Sequence, residues 1–434
     1  MLVVSKFGGS SVCNVNQFNN VKKIISSNPL RRVVVVSALG KRNKDDNKVT
    51  DLLYLLSAHI KYRINADHIW EQIYNRYEEI NQSLCLNVDL KREFETIKAC
   101  INENFDEAYL ISRGEYLTAL LMSVHLGYSF VDSAELFYFD YDKKIDVNLS
   151  KEAVKNAIDK NHSIVVPGFY GRTPNGKIHL FSRGGSDVTG AYLSAFLNAS
   201  KYENFTDVSG ILMADPKIIN NPKRIKTINY EELRELSYMG ASVLHEETIL
   251  PLFDTDIPIE ILNTNSPLDE GTVITKCAND SSCLITGIAG KKNYLSITVG
   301  KERQADKLKI MSSVLNVLEK FNVVIEHIPT SIDSFSAIVL GSSVSERIYE
   351  IIKEIKEISG VTDVSVDDDI ALIAVVGRNM VTKSGISGRI FGTVGLANIN
   401  IKMITQGAKE LTIIMGVANK DFEKAIKVIY DNVN

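Results

Sequence analysis

The last third of the chain repeats itself. After Thr275, a shift of 76 positions places LIAVVGR, from Leu372, on SITVGKE, from Ser296, and places ANINIKMITQG, from Ala397, on FNVVIEHIPTS, from Phe321. Because the register holds across both matches, the two copies are expected to share one fold. Each copy has the pattern strand, helix, strand, strand, helix, which predicts a small sheet with helices on one face.

The two copies differ at their ends. The first continues into GVTDVSVD, a predicted fourth strand, whereas the sequence ends at Asn434 directly after the last helix of the second. The segment CLITGIA, from Cys283 to Ala289, is a predicted strand that the first copy does not need. We therefore predict that it completes the second module (283–293 plus 370–434) and that the first module (294–369) is nested within the second.

Residues 1–277 have a different pattern, in which short β-branched runs alternate with helical stretches. The run RVVVVSAL, from Arg32, is almost continuously apolar, which is typical of a strand covered on both faces. An α/β domain with a central, mostly parallel sheet between helices is predicted. From about 58 to 105 the pattern is helical and rich in polar residues, and Ile69, Ile73, Tyr77 and Ile80 share one helix face, which predicts a helical insertion.

Composition excludes several classes of function. A net charge of −4 gives no electrostatic reason to expect nucleic acid or an anionic membrane as a partner. No apolar run approaches the roughly 18 residues that span a bilayer, and Lys6 interrupts the first one, so a cytoplasmic protein is expected. The five cysteines are scattered without a C-x-x-C pair, which predicts buried thiols rather than disulfides or zinc, and no metal-ligand cluster is visible.

Three short motifs carry candidate chemistry. Lys6 precedes Gly8 and Gly9, an arrangement that suits an anionic ligand, although such a glycine pair is also common in tight turns. Glu115 follows a glycine at a predicted helix start, where capping is an equally good explanation. In SRGGSD, Ser186 and Asp187 suit an N-cap, whereas Arg183 suits bidentate capture of a carboxylate.

Taken in order, these motifs resemble those of the aspartate kinases in the amino acid kinase superfamily. The matching stretches are KFGGSSV from Lys6, SRGE from Ser112, RGGSD from Arg183, TDVSG from Thr206 and GASVLH from Gly240. Two nested ACT modules are the tail of the single-function members. The resemblance implies transfer of the γ-phosphoryl group of ATP to the β-carboxylate of L-aspartate, with Mg²⁺ carried by the nucleotide, as the first step towards lysine, threonine and methionine.

The resemblance also implies roles for individual residues. Lys6 would face the transferring phosphoryl group, Gly8 and Gly9 would offer their backbone N–H groups to it, and Ser10 would lie beside them. Glu115 would hold the ammonium of aspartate, and Asp187 would either assist Glu115 or order Lys6. The α-carboxylate would be bound by Arg183 with hydroxyl partners, namely Ser37, Thr50 and Ser186. The nucleotide would lie near Thr206, Asp207, Lys217 and Ser242.

Departures from the family pattern fall on the nucleotide side. Ser242 stands where the family usually has lysine, and Glu246 where it has proline. Leu212 replaces a common tyrosine, and Lys217 an arginine. Our hypothesis is that Ser242 weakens ATP binding without abolishing activity.

The tail is expected to bind an amino acid effector, with lysine favoured and threonine the alternative. The candidate residues are Thr330, Ser331 and Asp333 in the first module and, at positions expected to be comparable, Asn398 and Gln406 in the second, although a simple turn explains the first group equally well. Assembly as a homodimer through the ACT modules, or as a tetramer, is expected. Two other functions stay open: a kinase for another amino acid, and a non-catalytic amino acid sensor with a degraded kinase domain.

Overall fold

The computed structural model describes the 434 residues except 104, 183, 242, 243, 245–247, 249, 279–283, 408 and 434. The chain forms two compact units. The first contains Met1–Ile211, Arg224–Tyr230 and Val243–Asn279, and the second contains Leu212–Lys223, Glu231–Ser242 and Asp280–Asn434. The predicted roles of Arg183 and Ser242, and the departure at Glu246, fall outside the described residues.

The first unit is built on an eight-stranded sheet with the order β3-β4-β2-β1-β7-β9-β10-β8. All neighbouring strands are parallel except β9 and β10, which are antiparallel, and β5 and β6 form a separate hairpin. The prediction of a mostly parallel α/β sheet is confirmed. The strands are β1 Val3–Phe7, β2 Arg31–Val36, β3 Ser129–Phe130, β4 Ile164–Pro167, β5 Tyr170–Arg172, β6 Ile178–Leu180, β7 Lys201–Thr206, β8 Thr227–Asn229, β9 Ile259–Asn263 and β10 Thr272–Thr275.

Helices pack against this sheet, and their coverage accounts for the apolar sequence of its central strands. Val33 to Val36 of β2 are fully buried, because a central parallel strand is covered on both faces. The helices of the first unit are α1 Val15–Ser26, α2 Val49–Lys61, α3 Asp67–Ser83, α4 Leu90–Glu103, α5 Glu107–Leu126, α6 Val147–Lys160 and α7 Gly185–Phe196. Short 3₁₀ segments cover Gly9–Val12, Ser133–Glu135 and Leu250–Leu252.

The helical insertion begins earlier in the chain than the sequence pattern indicated. Ile69, Ile73, Tyr77 and Ile80 are buried along α3, as their spacing predicts. The helical stretch starts at Val49 rather than at about 58, because Val49, Leu52, Leu53 and Leu56 already form a buried face on α2. The polar segment GKRNKDDNK directly before α2 conceals this start in the sequence.

The second unit contains a six-stranded antiparallel sheet with the order β12-β13-β11-β14-β16-β15. Its strands are β11 Gly287–Lys301, β12 Ile325–His327, β13 Ser334–Leu340, β14 Val361–Val376, β15 Met403–Gln406 and β16 Thr412–Val417. Its helices are α8 Tyr230–Tyr238, which lies in this unit from Glu231 onward, α9 Lys307–Lys320, α10 Gly341–Val344, α11 Ile348–Lys356, α12 Ile386–Leu396 and α13 Phe422–Val433. Two 3₁₀ segments cover Arg378–Val381 and Asn419–Asp421.

The two long strands β11 and β14 run through both sequence repeats. Gly287 to Lys291 of β11 pair with Leu372 to Val376 of β14, and the later part of β11 pairs with both β13 and the first part of β14. The predicted extra strand is therefore the first part of β11, continuous with the strand that follows it. This pairing supports the nested arrangement, while the proposed domain boundaries stay a prediction.

The repeat is also visible in the backbone at the end of the first long helix of each copy. Asn322 follows α9 with a φ of 56°, and Asn398, 76 positions later, follows α12 with a φ of 53°. Both are in the left-handed region, which asparagine tolerates better than most residues. Their N–H groups donate to Glu319 O at 2.8 Å and to Gly395 O at 2.9 Å, so both helices end in the same turn.

Two sequence-level expectations can be compared with the described residues directly. No helix among them is long and apolar enough to cross a bilayer. Of the described cysteines, Cys13 is buried, but Cys85, Cys100 and Cys277 are exposed, so the expectation of buried thiols was wrong for these three. Cysteine type alone does not decide burial, because the register of the surrounding element sets which way the side chain points.

A buried ion pair inside the second unit leads to a stability prediction. Glu232 on α8 is fully buried, and its carboxylate accepts from Arg378 Nε at 3.1 Å, from Arg378 N at 3.0 Å and from Thr286 Oγ1. Glu232→Gln should lower the free energy of unfolding by about 3–5 kcal/mol, because it removes one charge of a buried, hydrogen-bonded ion pair. Urea denaturation of the full chain measures the loss.

The neighbouring residue provides the matched control. Glu231 is exposed and pairs with Lys409 at 2.6 Å, so Glu231→Gln should change the free energy of unfolding by only about 0–1 kcal/mol. Equal unfolding midpoints for the two variants would contradict the prediction.

Candidate active site

Lys6 lies near the carboxyl end of β1 and is held by groups from two other elements. Its Nζ is 2.5 Å from Oδ1 of Asp187, in the first turn of α7, and 3.4 Å from Oδ1 of Asn204 on β7. Asn204 Nδ2 donates to Asp187 Oδ1 at 2.9 Å, which closes the triangle. Of the two roles predicted for Asp187, this geometry supports the ordering of Lys6.

Of the two glycines after Lys6, Gly8 leaves open space beside the ammonium, but its N–H group already donates a hydrogen bond within the protein. Gly8 N–H donates to Phe205 O at 3.1 Å, so it is paired within the protein and does not offer itself to a phosphate as predicted. A Cβ on Gly8 would lie 3.4 Å from Lys6 Nζ. Glycine at this position therefore keeps the surroundings of the ammonium open. Ser10 is half-buried in the 3₁₀ segment that follows.

Two chain segments meet at Gly9. Gly40 N–H donates to Gly9 O at 2.9 Å, and a Cβ on Gly40 would lie 2.5 Å from the carbonyl carbon of Gly9. Only glycine allows so close an approach between backbones. The loop after β1 and the loop after β2 are thereby fixed against each other.

Glu115 lies in the middle of a helix, which corrects the prediction of a helix start. Helix α5 begins at Glu107, and its N-cap is Asp106, whose carboxylate accepts from the N–H groups of Ala108 and Tyr109. Capping therefore does not explain Glu115. The sequence pattern misplaced the helix start because Gly114 sits inside α5, where it packs against Ala38 and Leu53.

The carboxyl group of Glu115 is in an unusual environment. The residue is 4% exposed, and its Oε2 has no hydrogen-bond partner among the described residues. Burial raises the pKa of Glu115 to about 8, although hydrogen bonds from the backbone at Ala38 and at Glu115 itself oppose the shift. A buried acceptor without a partner is costly, so this carboxyl is suited to receive a cationic group from a ligand.

The predicted hydroxyl ligands lie on three different elements. Ser37 directly follows β2, and its N–H donates to Phe7 O at 3.1 Å; Thr50 is half-buried in the first turn of α2. Ser186 is buried in the first turn of α7, but its predicted N-cap role is taken by Gly184, which has a φ of 74°. The N-cap prediction for Ser186 and Asp187 was wrong, since both lie inside the helix and their side chains remain available for other contacts.

Phe169 is a feature that the sequence analysis missed. It has a φ of 84°, a conformation that a bulky side chain rarely adopts. Its N–H donates to Thr189 Oγ1 at 3.0 Å, and its carbonyl accepts from Phe181 N–H at 2.8 Å. A Cβ on the preceding Gly168 would lie 2.6 Å from the Cβ of Ser186. The strained turn therefore holds the end of β4 tightly against α7, and such strain is common at functional sites.

Asn204 was also missed, although the sequence contains a signal for it. It is a polar residue within the strand YENFT, and its partners, Lys6 and Asp187, are both polar and largely buried. A polar side chain inside a central strand requires a partner, so the position could have been marked as a candidate.

The predicted nucleotide contacts are only partly brought together in the first unit. Thr206 ends β7, and its Oγ1 lies 3.2 Å from Oδ1 of Asp207, which is exposed. Lys217 is exposed in the Leu212–Lys223 segment of the second unit. No group of three or more potential metal-ligating side chains occurs among the residues that the structure describes.

The predicted effector residues of the first module lie between β12 and β13. In the turn between β12 and β13 of the first module, Ser331 N–H donates to Ser334 O at 2.9 Å. Lys301 N–H, at the end of β11, donates to Asp333 O at 2.9 Å, so the turn is closed by one internal hydrogen bond and one from β11. Thr330 forms an isolated bridge with Phe335 beside it. The carboxylate of Asp333 is half-exposed and 3.7 Å from Lys301 Nζ.

Of the two effector residues predicted in the second module, only one occupies the position that corresponds to Thr330 in the first module. The 76-residue shift pairs Gln406, at the end of β15, with Thr330, whereas it pairs Asn398 with Asn322 at a helix end. Asn398 therefore lies at a different position in the module from the Thr330 loop, contrary to the prediction that both residues occupy comparable positions.

The fold and this site define the class of protein. A mostly parallel α/β sheet holds a buried lysine at its carboxyl edge, and the chain continues into an antiparallel sheet with helices. The Amino acid kinase family matches residues 1–263, and the ACT domain matches residues 373–433. The chain belongs to the amino acid kinase family.

Within that family the chain belongs to the aspartokinases. It is 33% identical to aspartokinase 3 of Bacillus subtilis, with 98% of this chain and 97% of that protein covered. It is 44% identical to the Clostridium acetobutylicum aspartate kinase, whose crystal structure matches with a TM-score of 0.95 over 100% of both chains. Escherichia coli aspartokinase III in complex with aspartate and ADP matches at 25% identity and a TM-score of 0.77, again over 100% of both chains.

These matches confirm the predicted family, fold class and enzyme class. The protein is an aspartokinase whose chain also contains an ACT region.

Proposed function

We propose that this chain transfers the γ-phosphoryl group of ATP to the β-carboxylate of L-aspartate, giving 4-phospho-L-aspartate and ADP, with Lys6 as the cation at the transferring group. The single observation that carries the assignment is the Lys6–Asp187–Asn204 triangle at the carboxyl edge of the sheet. The acceptor carboxylate is already an anion, so the reaction needs no general base. It needs positive charge and an in-line arrangement, which a fixed ammonium supplies.

Aspartate is bound so that only its β-carboxylate faces the nucleotide. Glu115 accepts the substrate ammonium, which supplies the partner that Oε2 lacks among the described groups. Ser37, Thr50 and Ser186 contribute hydroxyl groups, and Arg183 binds the α-carboxylate. This division of labour is supported by the chemistry of the groups, since each end of the substrate meets a group of complementary charge or a hydrogen-bond donor.

The nucleotide is ATP, carried with Mg²⁺. Thr206 and Asp207 at the end of β7 contact it, whereas the roles of Lys217 and Ser242 stay predictions from the resemblance. Mg²⁺ binds through one or two carboxylates and the phosphates of its nucleotide, and the exposed Asp207 is a carboxylate of this kind. When bound there with the nucleotide, Mg²⁺ would supply positive charge that neutralises the phosphates. An acidic cluster is not required for this mode of binding, which is compatible with the described residues.

An acyl phosphate assay tests the proposal. Purified protein with ATP and Mg²⁺ should form a hydroxamate in the presence of hydroxylamine only when L-aspartate is added. The same assay with glutamate or acetylglutamate should give none, which separates this reaction from that of another amino acid kinase. A folded protein that binds lysine or threonine but forms no hydroxamate would favour the sensor alternative.

The ACT modules bind lysine as the feedback inhibitor, with threonine as the alternative effector. The protein is a cytoplasmic homodimer formed through these modules, or a tetramer. The structure of Escherichia coli aspartokinase III in complex with lysine and aspartate supports an effector of this class. In this chain, the half-exposed carboxylate of Asp333 is available to an effector's ammonium.

Inhibition and its dependence on Asp333 can be measured together. Millimolar lysine should lower the hydroxamate rate of the wild type, and Asp333→Asn should raise the half-inhibitory concentration about tenfold, because one charge-assisted hydrogen bond is lost. Asp368→Asn, at an exposed position on β14, serves as the control and should leave inhibition unchanged. Full activity at millimolar lysine, alone and with threonine, would refute this regulation.

A further inference from the structure

We propose that Arg76, in the helical insertion, is a positioning residue for the aspartate site. The inference rests on the proposed function and extends it to a residue outside the motifs. Arg76 lies on α3 and is only 6% exposed, so its charge must be satisfied inside the protein. Its partners all come from other segments of the chain.

The guanidinium group contacts the two loops that frame the site. Nη2 donates to Gly40 O at 2.7 Å and lies 3.5 Å from Cys13 O, while Nη1 donates to Asn47 O at 3.0 Å. Cys13 ends the segment that begins with Lys6 and the glycine turn. Gly40 and Asn47 lie near the two ends of the loop between Ser37 and Thr50.

A carboxylate completes the set of partners. Asp46 Oδ2 lies 3.0 Å from Arg76 Nη1 and accepts from Nε of the more exposed Arg42 at 3.0 Å. Burial opposes ionisation of Asp46, but hydrogen bonds from Arg42 and the charges of both arginines outweigh it and lower the pKa of this carboxyl to about 2. The loop is therefore tied to Arg76 through two carbonyls and one ionised side chain.

These contacts explain how an insertion remote from the reacting atoms affects the reaction. Gly40 is pressed against Gly9, so a displacement of the loop would move both the Ser37–Thr50 segment and the glycine turn after Lys6. The planar guanidinium can serve several acceptors at fixed angles, which an ammonium cannot do. Since small misplacements of substrate-binding groups are costly to catalysis, loss of this anchor should weaken aspartate binding.

The test is the KM for aspartate, measured by hydroxamate formation at saturating ATP. Arg76→Met should raise this KM at least tenfold. Arg76→Lys keeps the positive charge but lacks the planar guanidinium group. Its KM for aspartate should lie between those of Arg76→Met and the wild type, at least threefold above the wild-type value. Arg42→Met removes a cation from the same carboxylate on its exposed side and should leave the KM within twofold of the wild-type value.

The outcomes separate positioning from a structural effect. A variant that merely folds less well has fewer active molecules, so its rate falls while its KM stays unchanged, and that result in both Arg76 variants would overturn the inference. So would an equal rise in KM for Arg42→Met. If Arg76→Met does not fold, Arg76→Lys decides.

A failure of the proposed function is distinguished by the wild type. If the wild type forms no hydroxamate, the proposed reaction fails first, and calorimetric titration of wild type and Arg76→Lys with aspartate then decides the inference. Weaker binding by the variant supports it, and equal binding overturns it.

Discussion

Replacing Lys6 with methionine should lower kcat by about 10²–10³-fold, the loss expected when one preorganised group that stabilises transition-state charge is removed. The ammonium is fixed by Asp187 and Asn204 before any substrate arrives, so it needs no reorganisation as charge develops on the phosphoryl group. Hydroxamate formation at saturating ATP and aspartate measures this loss. A kcat within tenfold of the wild-type value would contradict the role of Lys6.

A second lysine of the same sheet provides the control. Lys201 begins β7, at the amino edge of the parallel strands, and pairs with Glu203 at 3.2 Å and Glu260 at 2.9 Å. Lys201→Met also removes a lysine charge from a strand of this sheet, but at the opposite edge from Lys6. Because distant sites act independently, kcat should stay within about twofold of the wild-type value. The pair of variants distinguishes a local role of Lys6 from a general effect of losing a strand lysine.

The role of Asp187 can be separated from that of Lys6 with a double variant. If Asp187 acts by ordering Lys6, Asp187→Asn should be costly in the wild type but should add little to Lys6→Met, because its partner is already gone. Independent, multiplying losses would show that Asp187 acts on another group, such as the substrate ammonium near Glu115.

Replacing Glu115 with glutamine should raise the KM for aspartate by roughly 10²-fold, because a buried charge pair with the substrate ammonium is lost. Glutamine has the same shape, so packing inside α5 is retained. Glu107→Gln is the matched control on the same helix. Glu107 is exposed, and its carboxylate accepts a hydrogen bond from Ser57 Oγ at 3.0 Å. The Glu107→Gln variant should have the wild-type KM for aspartate.

The raised pKa of Glu115, about 8, makes aspartate binding dependent on pH. Below that value the carboxyl is protonated in the free enzyme and must lose its proton to accept the ammonium. The KM for aspartate should therefore rise as pH falls below 8, by up to about tenfold per pH unit, and this slope should disappear in Glu115→Gln. A KM that is independent of pH in the wild type would contradict the assignment.

The same group makes the enzyme less stable as pH rises. Glu115 has an ordinary pKa of 4.5 and a folded-state pKa of about 8, so between these values the unfolded chain is ionised while the folded chain keeps the proton. Stability from this group is complete below 4.5 and is lost as pH rises to 8. Glu115→Gln should therefore unfold at higher urea concentration than the wild type at pH 8, with the gap narrowing towards acidic pH.

Much of the architecture could be predicted from local patterns. The buried valines of β2 and the face formed by Ile69, Ile73 and Tyr77 follow from periodicity, because a strand or helix exposes or buries residues at a fixed spacing. The 76-residue repeat predicted two similar modules, and the matching turns at Asn322 and Asn398 agree with it. The motif order pointed to an aspartate kinase before any geometry was known.

Local patterns were less successful at the ends of elements. The glycine before Glu115 predicts a helix start, because glycine usually interrupts a helix, yet Gly114 lies inside α5 and allows close packing against Ala38. The start of α2 was missed because the polar loop before it hides the first buried turn. In both cases tertiary packing overrides what the nearest few residues suggest.

The periodicity of the elements, the repeat and the reactive residue types can all be derived from the amino-acid sequence alone. Which of these residues contact one another depends on the folded chain. Lys6, Asp187 and Asn204 are brought together by the parallel pairing of β1 with β7 and by the start of α7, and Arg76 reaches Gly40 and Asn47 from an insertion. Local propensities act over only one or two turns of the chain. The contacts of Lys6 and Arg76 depend instead on how distant segments pair in the fold. They also depend on burial, because a buried charge must be paired by groups that are close in space and not in sequence.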